Sequence, residues 1–527
     1  MPPSLFGDEV DVGYQAYSLL KTGQDLYGNS WPTLVHSLSE YRAPLFIYSV
    51  LPFVRLFGLS EWGVRLPAVF WGVLGVLGVF LLTRKMFNDK VALFAAFTLS
   101  LSPWHIQYSR AAFEVTMLLA FFIFATYFFL KGLDKKYLLI LSAILFGLTP
   151  YIYSTATIFM PLLIILLLII YRSNLLKKLA PLTIAFLVLI LVMVPYGLQT
   201  IQGTAGARFS IISIFIDQVL QDKVTLAQKA GLEIDDGTER IFHNKPLIWA
   251  QVFSVNYLRA FSPEFLFLNG DPNFRHSIHE MGQMYFFELI LLLIGIWILI
   301  KDVLPYSWLV LGWLLIAPIP AALTVDGGFH ATRTFSMLVP IAIIVGLGWN
   351  TVFKQLKNVQ IKYVVALMMV LSIFNISFYL HRYFGHYPVE SWRAWHFGFK
   401  QAMQYVGRNQ LGYGRVLINN TYEPSLIRFL FWTSYDPAKF HTLYSKDRIT
   451  KNIVSGFDGF ALENKYYFGT VNGPFEQVID DKTLYVASAR DDITNPDTLN
   501  DPRIRLLETI YSPEGEAIFY LITGQRL

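Results

Sequence analysis

Cysteine is absent from all 527 residues, which excludes disulfides, thiolate metal sites and a cysteine nucleophile. Charge is scarce. Asp, Glu, Lys and Arg together make up 15% of the chain, against about a quarter in an ordinary soluble domain. The deficit is concentrated in long apolar runs, so the chain is not one large soluble core. A nucleic-acid-binding stripe is missing too: the net charge is only +5, and the Lys and Arg cluster beside apolar segments, where membrane orientation accounts for them. No repeat of fixed period and no low-complexity tract occurs. Met1-Pro2-Pro3-Ser4-Leu5-Phe6 is neither a signal peptide nor a spanning helix.

Apolar and aromatic residues are abundant: 54% of the chain is hydrophobic, with 44 Phe, 29 Tyr and 12 Trp. About 20 apolar residues cross a bilayer. Such runs fall at roughly 64–83, 91–108, 112–131, 137–153, 156–171, 179–198, 284–300, 306–325, 334–353 and 361–381. Segment 43–58 is apolar but short, holds Pro44, Pro52 and Arg55, and reads as a helix lying in the membrane interface. Basic residues mark every second connection: Arg84, Lys85 and Lys90, then Lys131, Lys135 and Lys136, then Arg172, Lys177 and Lys178, then Lys301, then Lys354, Lys357 and Lys362. These loops belong in the cytoplasm. The alternate connections (103–111, 153–156, 199–283, 326–333) and both termini are then outside. An outside N-terminus with no signal leads us to expect one more helix before residue 1; otherwise residue 1 is the true start and the first span inserts unaided.

The expected organisation is a first extracytoplasmic loop over 1–62, a transmembrane domain over 63–384 with a large outer loop at 199–283, and a soluble extracytoplasmic domain over 385–527. In that last stretch, strand-like runs at 415–418, 483–487 and 517–522 and a helix-like run at 425–434 are separated by Pro, Gly, Asn and Asp, the pattern of a small α/β domain.

Residues able to carry chemistry gather in the outer stretches. Asp8, Glu9 and Asp11 stand just before a helical pattern running from about Gly13 to Lys21 and stopping at Gly23. One acid would cap that helix; three invite a general base, which must reach the hydroxyl it deprotonates. Glu40 and Arg42 follow at the mouth of the interfacial segment, where Arg42 either snorkels to headgroups or grips a phosphate with its planar fork. Arg110 and Glu114 stand four apart at the start of a span, a spacing that puts them on one helix face. Charge so near hydrocarbon is costly and tends to mark a site. Asp271, Arg275, His276, His279 and Glu280 precede another span, and His276-x-x-His279 is a weak metal-binding spacing without a fixed third ligand. Finally Asp326-Gly327-Gly328-Phe329-His330-Ala331-Thr332-Arg333 joins two spans. Arg333 at a helix N-terminus is unfavourable by itself, and a bound phosphate would offset that cost. Arginines, carboxylates and histidines on one membrane face suit an anionic lipid, whereas a transporter more often sets polar groups near the midplane of its spans.

Phe6-Gly7-Asp8-Glu9, Tyr14 to Gly23, Tyr41-Arg42-Ala43-Pro44-Leu45, Leu56-Phe57-Gly58 and Val64-Arg65-Leu66-Pro67 resemble the opening of the GT-C membrane glycosyltransferases. The nearest branch is that of the protein mannosyltransferases and aminoarabinose transferases (glycosyltransferase family 39/83-like). Ser102-Pro103 to Arg110 and His330-Ala331-Thr332-Arg333 fit later parts of the pattern, and the resemblance covers roughly residues 4–385. It implies an all-α polytopic domain of about 10–11 transmembrane helices. It further implies inverting transfer of a monosaccharide from a polyprenyl-phosphate carrier to an acceptor hydroxyl on a protein, lipid or glycan. Carried over, Asp8 is the general base, Glu9 supports it, Arg42 takes the place of a basic residue near the carrier phosphate, and Arg110, Arg333 and His330 join the donor site. Ala43 stands where the family often has a second Pro, and Glu40 lies one residue off an acid of the family, which puts a metal role for Glu40 in doubt. No cofactor is required, and a divalent metal has no support beyond His276 and His279. A non-catalytic transporter or flippase of lipid-linked sugars is the competing expectation, as is a receptor whose outer domain binds a partner.

Overall fold

The computed structural model describes residues 2–37, 41–203, 211–230, 241–302, 305–355, 359–444 and 448–525. Its helices, in chain order, are α1 (Gly7–Thr22), α2 (Pro44–Phe57), α3 (Glu61–Met86), α4 (Asp89–Leu101), α5 (Pro103–Ser109), α6 (Val115–Gly132), α7 (Leu138–Leu148), α8 (Ala156–Ile170), α9 (Leu179–Ile201), α10 (Gln218–Ala230), α11 (Lys245–Arg259), α12 (Phe286–Lys301), α13 (Pro305–Ile316), α14 (Leu338–Lys354), α15 (Val359–His381), α16 (Phe399–Asn409), α17 (Leu426–Trp432) and α18 (Pro437–Leu443). Short turns of helix link several of them.

Helices occupy all ten apolar runs, but not at equal length. Among the described residues, six stretches are long and apolar enough to cross a membrane: Glu61–Met86, Val115–Gly132, Arg172–Ile201, Pro305–Ala322, Phe335–Lys354 and Lys362–Glu390. The runs of α4, α7, α8 and α12 give shorter helices. Proline explains two of these. Pro103 has no N–H to continue α4, and Ser102 instead opens α5 by accepting from the His105 N–H (3.4 Å). The run at 137–153 likewise tightens into a single 3₁₀ turn, Thr149–Tyr151, around Pro150. The chain is a multi-pass membrane protein.

Contacts divide the chain into two compact units. The larger comprises Ser39–Phe46 and Ala68–Tyr383. There α14 packs on α4 and α12, and α7 packs on α6 and α9. In hydrocarbon the hydrophobic effect does not drive helices together, so close backbone approach does the work and small residues permit it. Gly348 of α14 is such a place: a Cβ there would come within 2.2 Å of the Leu291 carbonyl of α12. α9 and α15 bury little of their surface and expose Ile190, Leu191, Leu367 and Phe374, as lipid-facing helices do.

The smaller unit comprises Met1–Leu38, Ile47–Pro67 and Phe384–Leu527. Its centre is a seven-stranded sheet made of β1 (Arg415–Asn419), β2 (Thr450–Val454), β3 (Phe457–Leu462), β4 (Tyr466–Val471), β5 (Thr483–Ser488), β6 (Ile504–Tyr511) and β7 (Ala517–Gly524), in the order β2-β3-β4-β1-β5-β7-β6. β1 pairs parallel with both β4 and β5. Covered on both faces, it is a continuous apolar run, Val416-Leu417-Ile418, all fully buried, as a parallel strand should be. Helix α17 packs on α16 and on α1, so the N-terminal helix and the C-terminal sheet domain share one body.

Candidate active site

α1 starts at Phe6, with Asp8 and Glu9 in its first turn, where the helix dipole favours anions. The two acids are treated oppositely. Asp8 is exposed. Glu9 is fully buried: its Oε1 accepts from Arg65 Nε and its Oε2 from Arg65 Nη2, both at 2.7 Å, and Oε2 also accepts from the Phe6 N–H (3.3 Å). This bidentate pair is geometrically specific. Arg65 extends its hold by donating to the carbonyls of Pro2 (3.2 Å) and Ser4 (2.5 Å), and its guanidinium lies 5.5 Å from the Trp395 ring. Asp11 is buried and accepts from Ser37 Oγ (2.9 Å).

Three residues that the sequence did not single out stand at the same helix end. His396 Nδ1 accepts from the Gly7 N–H (3.2 Å), one of the orphan donors of the first turn. It also faces Arg428 Nη2 at 2.6 Å. Two donors on Nδ1 leave the ring proton on Nε2, which lies 3.2 Å from Glu423 Oε1. Arg428 is 1% exposed, donates to the Pro424 carbonyl, approaches Glu423 Oε2 (3.4 Å) and lies 4.4 Å over the Phe399 ring. Burial pulls its pKa down to about 10, with Glu423 opposing the shift. The hydrogen bond from His396, aided by the Arg428 charge, holds the Glu423 carboxyl below the ordinary carboxylate range against its partial burial. The available signal in the sequence was an arginine inside the apolar run 425–434.

The same unit holds a cavity of about 360 Å³, lined by Trp392, Arg393, Tyr422, Ser488, Arg490 and Glu516. It opens at the carboxyl ends of β1 and β5. Strands β4 and β5 flank β1 on opposite sides, so the chain leaves these ends in opposite directions, the position where open α/β sheets form crevices for ligands.

In the larger unit the outer loops of the sequence reading meet. Trp104 Nε1 donates to the Ala331 carbonyl (3.2 Å), the Tyr108 hydroxyl bonds Thr332 Oγ1 (2.7 Å), and Gln107 Nε2 donates to the Arg275 carbonyl (2.9 Å). Asp271 Oδ2 accepts from the Ala331 N–H (2.8 Å) and contacts His276 Nδ1 (2.9 Å). Donor atoms of Asp271, His276 and His330 all lie within 4.8 Å of one another, a group able to hold a metal ion and of a ligand type that suits zinc. His279 takes no part in it: its ring stacks on Phe274 (3.7 Å between centroids) and its Nε2 meets the Pro272 carbonyl (3.0 Å). Asp271, His276, Asp326 and His330 line a cavity of about 250 Å³ with Arg259 and Phe329.

The arginines lie less simply than their spacing implied. Arg110 and Glu114 do not share a helix face, because α5 ends at Ser109, α6 begins at Val115 and the residues between form a turn. Arg110 is exposed, while Glu114 lies 3.9 Å from the buried Arg42. Arg333 precedes α14 by several residues rather than standing at its N-terminus. It is buried and donates to Thr324 Oγ1 (2.6 Å) and to Asp326. An acid therefore already meets its charge. Arg275 donates to Asn273 Oδ1 (3.4 Å). Glu40 lies outside the described residues.

Residues 41–196 match the family of dolichyl-phosphate-mannose-protein mannosyltransferases. A search of curated protein sequences finds no match. Among solved structures, ArnT from Cupriavidus metallidurans bound to undecaprenyl phosphate aligns over 99% of this chain and 95% of its own, at 12% identity and a TM-score of 0.51. The oligosaccharyltransferase AglB from Archaeoglobus fulgidus, in complex with an inhibitory peptide and a dolichol-phosphate, aligns over 82% of this chain and 60% of its own, at 14% identity and a TM-score of 0.46. The chain thus has the GT-C membrane fold of ArnT and, over residues 41–196, the sequence character of the protein mannosyltransferases.

Proposed function

We propose that this protein is an inverting glycosyltransferase. In this reading it moves a monosaccharide from a polyprenyl-phosphate carrier to an acceptor hydroxyl on the outer membrane face. The observation that carries the reading is the division within the acidic pair: Glu9 is buried and locked on Arg65, while Asp8 beside it is turned to solvent in the first turn of α1. In this reading one acid builds the helix end and the other meets the substrate. Support for the donor class comes from the name of the matched family and from the undecaprenyl phosphate bound by ArnT.

The acceptor oxygen attacks the anomeric carbon as the bond from that carbon to the phosphate oxygen breaks on the opposite face. Asp8, ionised, takes the acceptor proton. The departing phosphate gains charge, and Arg42, Arg110 and Arg333, with His330, neutralise it, each such preorganised group contributing about 3–4 kcal/mol. Arg42 and Arg333 stand near Glu114 and Asp326, so donor binding exchanges a carboxylate for a phosphate. A phosphate monoester leaves far more readily than a sugar alkoxide, so no acid partner of the glycosidase kind is needed. The cavity at the carboxyl ends of β1 and β5 supports an acceptor-binding role for the C-terminal domain.

Asp8→Asn tests the reading. Transfer from a polyprenyl-phosphate sugar by the purified chain should fall by about 10²- to 10⁴-fold, with the melting temperature unchanged. Undiminished transfer overturns the assignment of the base. A wild-type chain that moves lipid-linked sugar across liposomes without transferring it is instead a flippase.

A further inference from the structure

We infer that Arg428, His396 and Glu423 of the C-terminal domain form a buried charge relay that positions Asp8 and sets the pH range over which it works. The inference rests on Asp8 being the base, and it concerns residues that lie some four hundred positions away in sequence. Their geometry is direct. His396 Nδ1 receives the N–H of Gly7, the residue immediately before Asp8. Arg428 Nη2 shares that nitrogen (2.6 Å), and a Cβ on residue 7 would stand 3.2 Å from the same Nη2, so glycine there lets the guanidinium close on the helix end. His396 Nε2 hands the contact on to Glu423 Oε1 (3.2 Å). The chain of contacts is therefore α1 backbone, imidazole, guanidinium and carboxylate, with the Asp8 charge felt at Arg428.

Stability does not account for this arrangement. A buried ion pair is commonly no better for the fold than apolar side chains of the same volume, and Arg428 Nε is buried without a hydrogen-bond partner among the described residues, a further cost. A Leu or Met in α17 would continue its apolar run with neither penalty. What the guanidinium supplies is a fixed positive charge behind the first turn of α1, and its own burial leaves it less screened by salt than a surface charge. A cation there favours the ionised carboxylate, the form of Asp8 able to take a proton. Glu423, partly exposed, tempers that field. Among the described residues at this helix end, Arg65 holds Glu9, Lys400 holds Glu61, and Asp11 accepts from Ser37. Burial, with the Glu423 charge beside it, raises the Tyr422 hydroxyl above its ordinary value. These are positioning residues, since none needs to touch substrate.

The experiment is the pH profile of sugar transfer by the full-length, detergent-solubilised chain and two variants. Arg428→Gln removes the cation, so the acid-side limb of the profile should move to higher pH. Transfer should fall about tenfold on that limb, equivalent to about one pH unit, and recover towards alkaline pH. Glu423→Gln removes the opposing charge at a partly exposed position that tolerates the change, and its limb should move to lower pH. Opposite displacements cannot come from general loosening of the fold. Limbs that stay in place in Glu423→Gln, or that move in the same direction in both variants, overturn the relay. Asp8→Asn run alongside separates the two ideas: if it retains transfer, the base is misassigned; if it is inactive while the limbs stay fixed, only the relay fails.

Discussion

At the scale of single residues, the spacing marked Asp8, Glu9 and Asp11 only as an acidic cluster, and it was the family resemblance that set Asp8 as the base and Glu9 as its support. Adjacent helical positions face roughly 100° apart, and which of them meets Arg65 is decided by where α3 packs, a tertiary matter. Arg65 itself was visible only as part of the Val64-Arg65-Leu66-Pro67 resemblance. The Glu9–Arg65 pair should be costly to break from one side. Arg65→Met leaves a buried carboxylate uncompensated, and such single removals cost about 3–5 kcal/mol. Thermal unfolding in detergent should show that loss, while the double change Glu9→Met with Arg65→Met recovers most of it. A double variant no more stable than the single one would mean that the pair itself contributes little. Glu423 gives a pH-dependent counterpart. Its carboxyl is held below the usual range in the folded chain, chiefly by the His396 hydrogen bond. A depressed folded value means that its contribution is present above the ordinary carboxylate pKa and is lost as pH falls through the lower, folded one. The melting temperature of the native chain should therefore drop on acidification more steeply than that of Glu423→Gln, and parallel curves would refute the coupling.

At the scale of elements, sequence pattern and structure agree where one physical rule governs and diverge where two compete. The apolar runs became helices because bilayer-length hydrophobicity leaves the backbone no better way to satisfy its own polar groups. The helices fall short of their apolar runs at Pro103 and Pro150, where a hydrophobic average hides a missing N–H. The strands at 415–419, 483–488 and 517–524 were legible as β-branched and aromatic runs. β3 and β4 were not, because Gly459 and Gly469 interrupt them; yet these two residues sit opposite each other in the antiparallel pairing, each allowing the other strand close. The Arg110–Glu114 spacing misled for a similar reason: i, i+4 means a shared face only if the helix continues, and here a turn intervenes. Helix contacts in the larger unit carry their own prediction. Gly348→Leu would drive a side chain into the Leu291 carbonyl, which only a shift of α12 against α14 relieves. Overpacking of this kind costs about 1–3 kcal/mol or more. The variant should melt and aggregate earlier in detergent, whereas Gly197→Leu on α9, with open space around it, should not.

At the scale of the whole molecule, the membrane character was legible from composition alone, because 15% charge over 527 residues cannot cover a soluble surface. Orientation is carried by a weaker signal, the asymmetry of Lys and Arg between alternate loops. Helix geometry does not fix it, since a bundle inserted either way has the same internal contacts. The complete lack of cysteine makes this testable without background, as single cysteines can be placed into an otherwise unreactive chain. Gln218 and Asp497 are exposed in stretches assigned outside, and Asp89 and Tyr137 are exposed beside the basic loops assigned inside. Gln218→Cys and Asp497→Cys should label with a membrane-impermeant maleimide in intact cells. Asp89→Cys and Tyr137→Cys should label only after permeabilisation. The reversed pattern would put Asp8 and the C-terminal domain on the cytoplasmic side, and the donor would then have to present its phosphate there. Labelling therefore decides which membrane face must supply the lipid-linked sugar before any transfer is measured.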